Sequence, residues 1–188
     1  METVGPDGQI SRGAPPQPGL VMKGRSIDKL LRQVEAWHSE LVVQQTENWI
    51  EWTTYGINGF ESVEQDDESG QALHWRIVEL RDTRAMNREG SIMHHCIYSY
   101  KDRCAIGDAA VFSLQVGTDR ATPSPVLTIA LDHSQRLVTQ YQGKCNMRPN
   151  ETRSLPKKRE LGKDYVRLLN CSEAIMKRWM AAEGLSLI

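Results

Sequence analysis

The stretch AVFSLQV, residues 110–116, decides the fold, because its large apolar side chains fall on every second residue. This period of two is typical of a β-strand with one face against a hydrophobic core. Residues 127–131 and 137–142 show the same alternation. Only the turn-like sequence DHSQ, residues 132–135, separates the last two, which favours an antiparallel hairpin. The sequence therefore predicts three consecutive strands.

Upstream of these strands, helical and extended patterns alternate. Ser26 can cap a helix whose apolar spacing continues to about Val43. Residues 61–70 are rich in Asp, Glu and Ser and predict a solvated loop. Residues 74–80 carry apolar groups on both faces, which predicts a strand that is at least partly buried on both sides.

Two short helices are predicted between that strand and residue 110. Asp82 can cap the first, which runs through Arg88 and ends at Gly90. Ser91 can cap the second, which runs through about Cys104.

The two ends of the chain have opposite character. Residues 1–24 contain five Gly and four Pro with few large apolar groups, which predicts a disordered tail. An apolar stripe with helical spacing predicts a C-terminal helix over about 157–183, with Gly184 as its stop. The predicted fold class is α+β: a single domain with a small, mainly antiparallel sheet flanked by helices.

Composition excludes several protein classes. The chain has 188 residues, a formal net charge of −1 and a mean hydropathy of −0.50, as in ordinary globular proteins. No stretch approaches the roughly 20 apolar residues of a membrane span, and no secretion signal is recognised. The four cysteines form no CxxC pair. We therefore expect a cytoplasmic protein with reduced thiols and no membrane contact, and the oligomeric state stays open.

The densest group of reactive side chains is EGSIMHHCIYSY, residues 89–100. On a helix Cys96 and Cys104 share one stripe, so both can be buried core residues. Alternatively, Cys96 is a nucleophile near a helix start, activated by His95 or another histidine. A zinc site using Cys96, Cys104, Cys145 and one histidine is a third interpretation, although closely spaced ligand pairs are missing. No cofactor is predicted, and zinc and magnesium stay open.

A second polar group is TQYQGKCN, residues 139–146. Gln140 and Gln142 share one face of the predicted strand, Gly143 permits a bulge or a close backbone approach, and Asn146 follows. Carboxamides at such positions can hold a base edge, a backbone or a catalytic imidazole. The alternative is a set of solvated polar positions on a half-exposed strand.

The third feature is a charge asymmetry. Residues 144–178 contain ten Lys or Arg and four Asp or Glu. A basic stripe of this kind, including Lys144, Lys157, Lys158 and Arg159, can follow the phosphates of DNA or RNA. The alternative is an exposed helix face whose charges pair with one another.

Residues 89–100, Gly107 and residues 140–146, in this order, resemble the PcfJ-like family, which occurs on conjugative plasmids, in phages and in bacterial genomes. The resemblance covers about residues 75–150 and is weaker in the C-terminal helix, and it implies a family domain over 25–188. Many members carry an acidic residue where this chain has Ala130. The signature positions implied by the resemblance are Glu89, His95, Cys96, Tyr100, Gly107, Gln140, Gly143 and Asn146.

The family's mobile-element context and the basic stripe favour a protein that binds or processes nucleic acid. In this hypothesis Cys96 and Tyr100 pack beneath a polar pocket, and the basic stripe contacts phosphate. If the protein is a nuclease, His95 is the general acid or base and Glu89 a metal or proton partner. The predicted pocket consists of His95, Gln140, Gln142 and Asn146.

Two other functions fit the same residues. The first is a thiol hydrolase or transferase with Cys96 as nucleophile, His95 as base, and Asn146 or Gln140 as orienting group or oxyanion donor. The second is a non-catalytic interaction module, in which these side chains form a buried hydrogen-bond network.

Overall fold

The computed structural model describes residues 2–4, 10–12, 26, 49–54, 56–119, 121–151 and 161–188. The chain divides into two compact units, residues 1–49 and 50–188. In the first, strands β1 (Glu2–Val4) and β2 (Ile10–Arg12) form an antiparallel pair, at six residues where the sequence predicted a disordered tail. The rest of the predicted 1–24 tail, and the helix predicted after Ser26, lie outside the described residues.

The second unit contains a six-stranded sheet in which the strands follow one another in chain order. Neighbouring strands are antiparallel except for the last pair, which is parallel. This architecture confirms the predicted α+β class and the three predicted consecutive strands. The strands are β3 (Phe60–Gln65), β4 (Ala72–Glu79), β5 (Ala109–Gly117), β6 (Ser124–Asp132), β7 (Leu137–Gln142) and β8 (Ser186–Leu187).

The helices of the described part are α1 (Thr83–Met93), α2 (Lys101–Ala105) and α3 (Lys163–Glu183). Short 3₁₀ turns occupy Ile97–Tyr100 and Lys144–Asn146.

Hydrophobic clusters on both faces of the sheet give the domain its layers. On one face, α3 packs Trp179 against Phe112 of β5, with ring centroids 4.8 Å apart. On the other face, Met86 of α1, Ile97 and Cys104 pack against Val111 and neighbouring residues. The central strands β5 and β6 are therefore buried on both sides, which explains their nearly continuous burial.

The acidic segment 61–70, predicted as a solvated loop, contains edge strand β3 and the turn that follows it, so that prediction was wrong for residues 61–65. The burial of β3 alternates, with Phe60, Ser62 and Glu64 on the half-buried side. Arg178 of α3 binds Ser62 and Glu64. The negative charge of Glu64 in this strand is therefore paired with a cation that lies more than a hundred residues away in the sequence.

Helix α1 continues beyond the point where the first of the two short helices was predicted to end. Asp82 caps it as predicted, accepting a hydrogen bond from Ala85 N at 2.7 Å. The helix passes through Gly90 and Ser91 and ends at His94, whose φ of 52° and ψ of 50° are left-handed. The predicted stop at Gly90 and the predicted start of a second helix at Ser91 were therefore wrong, whereas the predicted end near Cys104 agrees with the helical residues Ile97–Tyr100 and Lys101–Ala105.

The C-terminal helix ends as predicted, because Gly184 adopts the left-handed conformation and its N–H binds Met180 O. Its described part begins at Lys163, after Gly162 with a φ of 83°. The earlier part of the predicted helix, residues 157–160, lies outside the described residues.

Glu79, at the end of β4, makes the fold sensitive to pH. Partial burial raises the pKa of this carboxyl from 4.5 to about 7, against the charge of Arg81. Because the folded pKa exceeds the unfolded one, the folded state holds the extra proton, and stability falls as pH rises from about 4.5 towards 7.

We expect Glu79→Gln to raise the melting temperature more at about pH 8 than at about pH 5, because the neutral amide avoids the burial of a charge. Thermal unfolding followed by circular dichroism measures this difference. Glu61→Gln, at an exposed position of β3, is the control. An equal effect of Glu79→Gln at both pH values would contradict the prediction.

Candidate functional site

An open pocket of about 340 Å³ lies on the α1 face of the sheet. It contains five of the residues singled out from the sequence as a site, together with Tyr100, and these come from two segments that are 40 or more residues apart. Strand β6 forms the floor between them. The lining residues are His95, Cys96, Ile97, Ser99, Tyr100, Thr128, Ala130, Gln140, Gln142 and Asn146.

The tight turn that ends α1 at His94 places His95 in this pocket. The left-handed His94 turns the chain back, and the N–H groups of His94 and His95 both reach the carbonyl of Gly90. A Cβ atom at Gly90 would lie 3.0 Å from the His95 carbonyl oxygen. Gly90 thus allows the close approach of the turn to the helix, although it does not end the helix.

Glu89 lies directly behind the pocket, with only 3% of its surface exposed. Its Oε2 accepts a hydrogen bond from Ser113 Oγ at 2.9 Å, and its Oε1 accepts one from Thr128 Oγ1 at 2.7 Å. Ser113 and Thr128 are cross-strand partners on β5 and β6. The two central strands therefore hold one helix carboxylate between two hydroxyl groups.

Thr128 also connects Glu89 to the pocket, because its Oγ1 lies 2.9 Å from His95 Nε2. Burial raises the pKa of Glu89, against the hydrogen bonds from Thr128 and Ser113. Burial lowers the pKa of His95, and an interaction with its own backbone opposes this effect. The surroundings thus favour a neutral imidazole that can accept a proton.

A second chain of hydrogen bonds forms the opposite wall. Tyr100 OH donates to Gln140 Oε1 at 3.0 Å, and Gln140 Nε2 donates to Gln142 Oε1 at 2.6 Å. Gln140 and Gln142 lie beside Ala130 and Thr128 of β6 and so share the pocket face, as predicted from the strand period. The chain fixes the orientation of both carboxamides, and among the described residues Gln142 Nε2 has no hydrogen-bond partner that competes with a ligand.

The turn after β7 places Asn146 at the edge of the pocket. Tyr165 of α3 fixes this turn, because its OH donates to Val126 O at 2.9 Å and accepts from Lys144 N at 2.5 Å. Cys145 and Asn146 both have positive φ, 56° and 60°. Burial raises the pKa of Tyr165 to about 12, so the phenol stays a donor.

Gly143 shows the close approach that the sequence suggested. A Cβ atom there would lie 2.6 Å from Leu169 Cδ1 and 2.9 Å from Tyr165 OH. The backbone of the turn therefore packs directly on α3, and a larger residue at this position would require Leu169 and Tyr165 to shift.

The cysteines differ from one another. Cys104 is buried, as predicted, and burial raises the pKa of its thiol to about 12. Cys96 is exposed in the pocket, so the predicted burial of Cys96 beneath the pocket was wrong. It lies at the start of the 3₁₀ turn Ile97–Tyr100, which continues directly into α2, because the left-handed His94 ends α1 before it. Tyr100 was also predicted to pack beneath the pocket, but it forms part of the pocket wall.

The other predicted positions lie apart from the pocket lining. Lys144 belongs to the turn before Asn146, and Gly107 provides a positive φ of 83° between α2 and β5. Lys157, Lys158 and Arg159 lie outside the described residues.

Several cations of the predicted basic stripe are used within the fold. Arg167 pairs with Asp66 and Glu68, while Arg178 pairs with Glu64. Lys177 pairs with Glu173 at 2.7 Å. These residues neutralise acidic groups of the β3 region and of α3 itself, which leaves them less suited to contacting phosphate than the charge count suggested.

In the described ranges, no three His, Cys, Asp or Glu side chains form a group suited to a metal ion. The ligands of the zinc hypothesis are therefore not brought together there. None of the helices described is both long and apolar enough to cross a bilayer.

The fold and the site define an α+β domain with a polar pocket between a helix end and a β-hairpin. A family model described as "PcfJ-like protein" matches residues 25–155, and the chain belongs to this family. The searches of curated proteins and of solved structures found no match.

Sequence reasoning missed Ser113 and Thr128, the two hydroxyl residues that hold Glu89. Each is a polar residue inside an otherwise apolar strand, at positions that pair across β5 and β6. Two polar residues within strands predicted to be core were the available signal, because a buried hydroxyl requires a partner.

Gly143→Ala tests the contact between the turn and α3. We expect a loss of about 1–3 kcal/mol in the free energy of unfolding, because the new methyl group overlaps Leu169. Denaturant unfolding measures the loss. In a Leu169→Ala background the cost of Gly143→Ala should be smaller, and strictly additive effects would contradict the proposed overlap.

Proposed function

We propose that this PcfJ-like protein binds nucleic acid, holds one unpaired base in the pocket, and carries out proton transfer on the bound strand through His95. The observation that carries the proposal is the ordered carboxamide wall of Gln140 and Gln142 facing an imidazole across an open pocket.

The pocket's polar groups suit the edge of a base. A base edge presents alternating donors and acceptors, and carboxamides, which carry one of each, pair with them. Gln142 Nε2 is a donor, and the exposed Asn146 offers a second carboxamide. A pocket of about 340 Å³ is small for a ligand site, which favours a single unstacked base over a duplex.

Cations for the phosphates would come from the turn and the segment that follows it. Lys144 and the exposed Arg148 flank Asn146. Lys157, Lys158 and Arg159 follow in the sequence. This part of the basic segment supports the proposal better than α3, where Arg167, Lys177 and Arg178 already have carboxylate partners.

His95 supplies the chemistry in this proposal. A neutral imidazole at the pocket wall can take a proton from a hydroxyl or a water molecule held beside the ligand. Thr128 fixes one ring nitrogen, so the ring keeps one orientation while the other nitrogen acts. Preorganisation of this kind is what a general base requires.

The exposure of Cys96 in the same pocket favours a second candidate, a thiol enzyme. In that case Cys96 forms the covalent bond, His95 takes the thiol proton, and Gln140 or Asn146 stabilises the developing negative charge.

Binding to a fluorescein-labelled single-stranded oligonucleotide, measured by anisotropy over a salt series, tests the first candidate. We expect the affinity to fall as salt rises, and the Lys157→Glu, Lys158→Glu, Arg159→Glu triple variant to lose about tenfold or more at low salt. Gln142→Leu should weaken binding to the single strand while leaving the salt slope unchanged.

Lys177→Glu is the matched charge control, because Lys177 already pairs with Glu173 and should have a smaller effect per charge. If no single strand or duplex binds even at low salt, the nucleic-acid proposal is wrong, and the non-catalytic interaction module becomes the better account.

Alkylation by iodoacetamide distinguishes the thiol enzyme. Cys96 and Cys171 are both exposed, so Cys171 is an internal control. At about pH 6.5 the thiol enzyme requires Cys96 to react at least about tenfold faster than Cys171, and His95→Gln to abolish that advantage. Equal rates for the two cysteines, read by peptide mass spectrometry, would reject it.

A further inference from the structure

We propose that the Thr128 hydroxyl carries protons between His95 and Glu89, so that a proton taken from the ligand by His95 is finally held by the buried Glu89 carboxylate. This inference rests on the proposed role of His95 as a base, and it adds a proton store and a relay behind it.

The geometry is an unbroken series of short contacts. His95 Nε2 lies 2.9 Å from Thr128 Oγ1, and Thr128 Oγ1 lies 2.7 Å from Glu89 Oε1. A hydroxyl group can donate one hydrogen bond while accepting another, so Thr128 is suited to pass a proton in either direction. A valine of nearly the same shape would fill this position without that ability.

The relay moves one proton from His95 to Thr128 and another from Thr128 to Glu89, and it leaves the Thr128 hydroxyl intact. At the start Glu89 is a carboxylate that accepts the Thr128 O–H, and the Thr128 oxygen accepts the Nε2–H of His95. The ligand gives a proton to His95 Nδ1. The Nε2–H bond then breaks and its proton binds the Thr128 oxygen, while the original hydroxyl proton moves to Glu89 Oε1. The products are a neutral carboxylic acid, an intact hydroxyl and a neutral Nδ1–H imidazole.

Burial gives this transfer its direction. A positive imidazolium at a half-buried site and a negative carboxylate in the core are both penalised by lost hydration, and the relay leaves neither. The Nδ1–H formed on the ring can also interact with the His95 backbone, which already influences this side chain.

Besides Thr128, the polar and charged groups near Glu89 are Ser113, Gln115, Arg76 and Tyr165. Ser113 Oγ donates to Glu89 Oε2 and accepts a hydrogen bond from Gln115 Nε2. The side-chain oxygen Oε1 of Gln115 accepts a hydrogen bond from Arg76 Nε at 2.8 Å. Arg76 therefore reaches Glu89 only through two neutral groups. Tyr165 of α3 also interacts electrostatically with Glu89. On the pocket side, Cys96 and Tyr100 are the titratable neighbours of His95 along the lining.

Nitrogen NMR of the histidine-labelled free protein tests the relay without any ligand. His95→Gln identifies the His95 signals. In the wild type, lowering the pH should convert His95 from the Nε2–H to the Nδ1–H tautomer, with no imidazolium formed in that step. In Thr128→Val this exchange should be lost, and Thr128→Ser should restore it. Glu89→Gln should also abolish the exchange, because the amide cannot accept the proton.

Direct formation of imidazolium in the wild type, or unchanged tautomer exchange in Thr128→Val, would overturn the relay. Circular dichroism melting checks that each variant is folded. If Thr128→Val does not fold, the wild type and Glu89→Gln still decide the question. The spectra contain no nucleic acid, so a failed relay is distinguishable from failed nucleic-acid binding, and a working relay in a protein that binds no nucleic acid would reject the proposed function alone.

Discussion

The Glu89 carboxylate, held between Ser113 and Thr128, is the interaction on which the site depends. A carboxyl group that is 3% exposed is costly unless hydrogen bonds compensate for its lost hydration. Two hydroxyls on paired strands provide that compensation, and they join α1 to the centre of the sheet. Because Glu89 is one turn before the end of α1, its position also determines where the His94 turn delivers His95.

A second constraint fixes the opposite side of the pocket from the far face of the sheet. Tyr165 and Leu169 of α3 contact the turn at Gly143 and Lys144, and this turn leads to Asn146. The hydrogen bond of Tyr165 to Val126 O connects the same turn to β6. The pocket therefore depends on packing on both faces of one sheet, which explains why its residues are so far apart in the sequence.

The sequence predicted β4 to β7 because the spacing of apolar residues along a strand is a local property, but it missed the edge strands β3 and β8. It could not predict what depends on distant partners. The acidic segment forms a strand along β4, where Arg178 pairs with Glu64 of the strand and Arg167 with Asp66 of the turn after it. Cys96 was placed in a helix because nothing local marks His94, a non-glycine residue, as the left-handed end of α1. The convergence of His95 with Gln140 followed from the family motifs more than from periodicity.

The pocket is lined by uncharged groups, and this affects how the protein would select one ligand over another. Its lining contains neutral hydrogen-bonding groups, with Glu89 sealed behind Thr128 and no Lys or Arg among the lining residues of the described chain. Neutral donors and acceptors of fixed orientation discriminate between ligands by geometry, since an unmatched buried polar group is costly. Under the proposed function, cations outside the pocket would attract an anionic strand without selecting its sequence. Affinity and selectivity would then reside in different parts of the molecule, and proton transfer at His95 would be confined to ligands that fit the carboxamide wall.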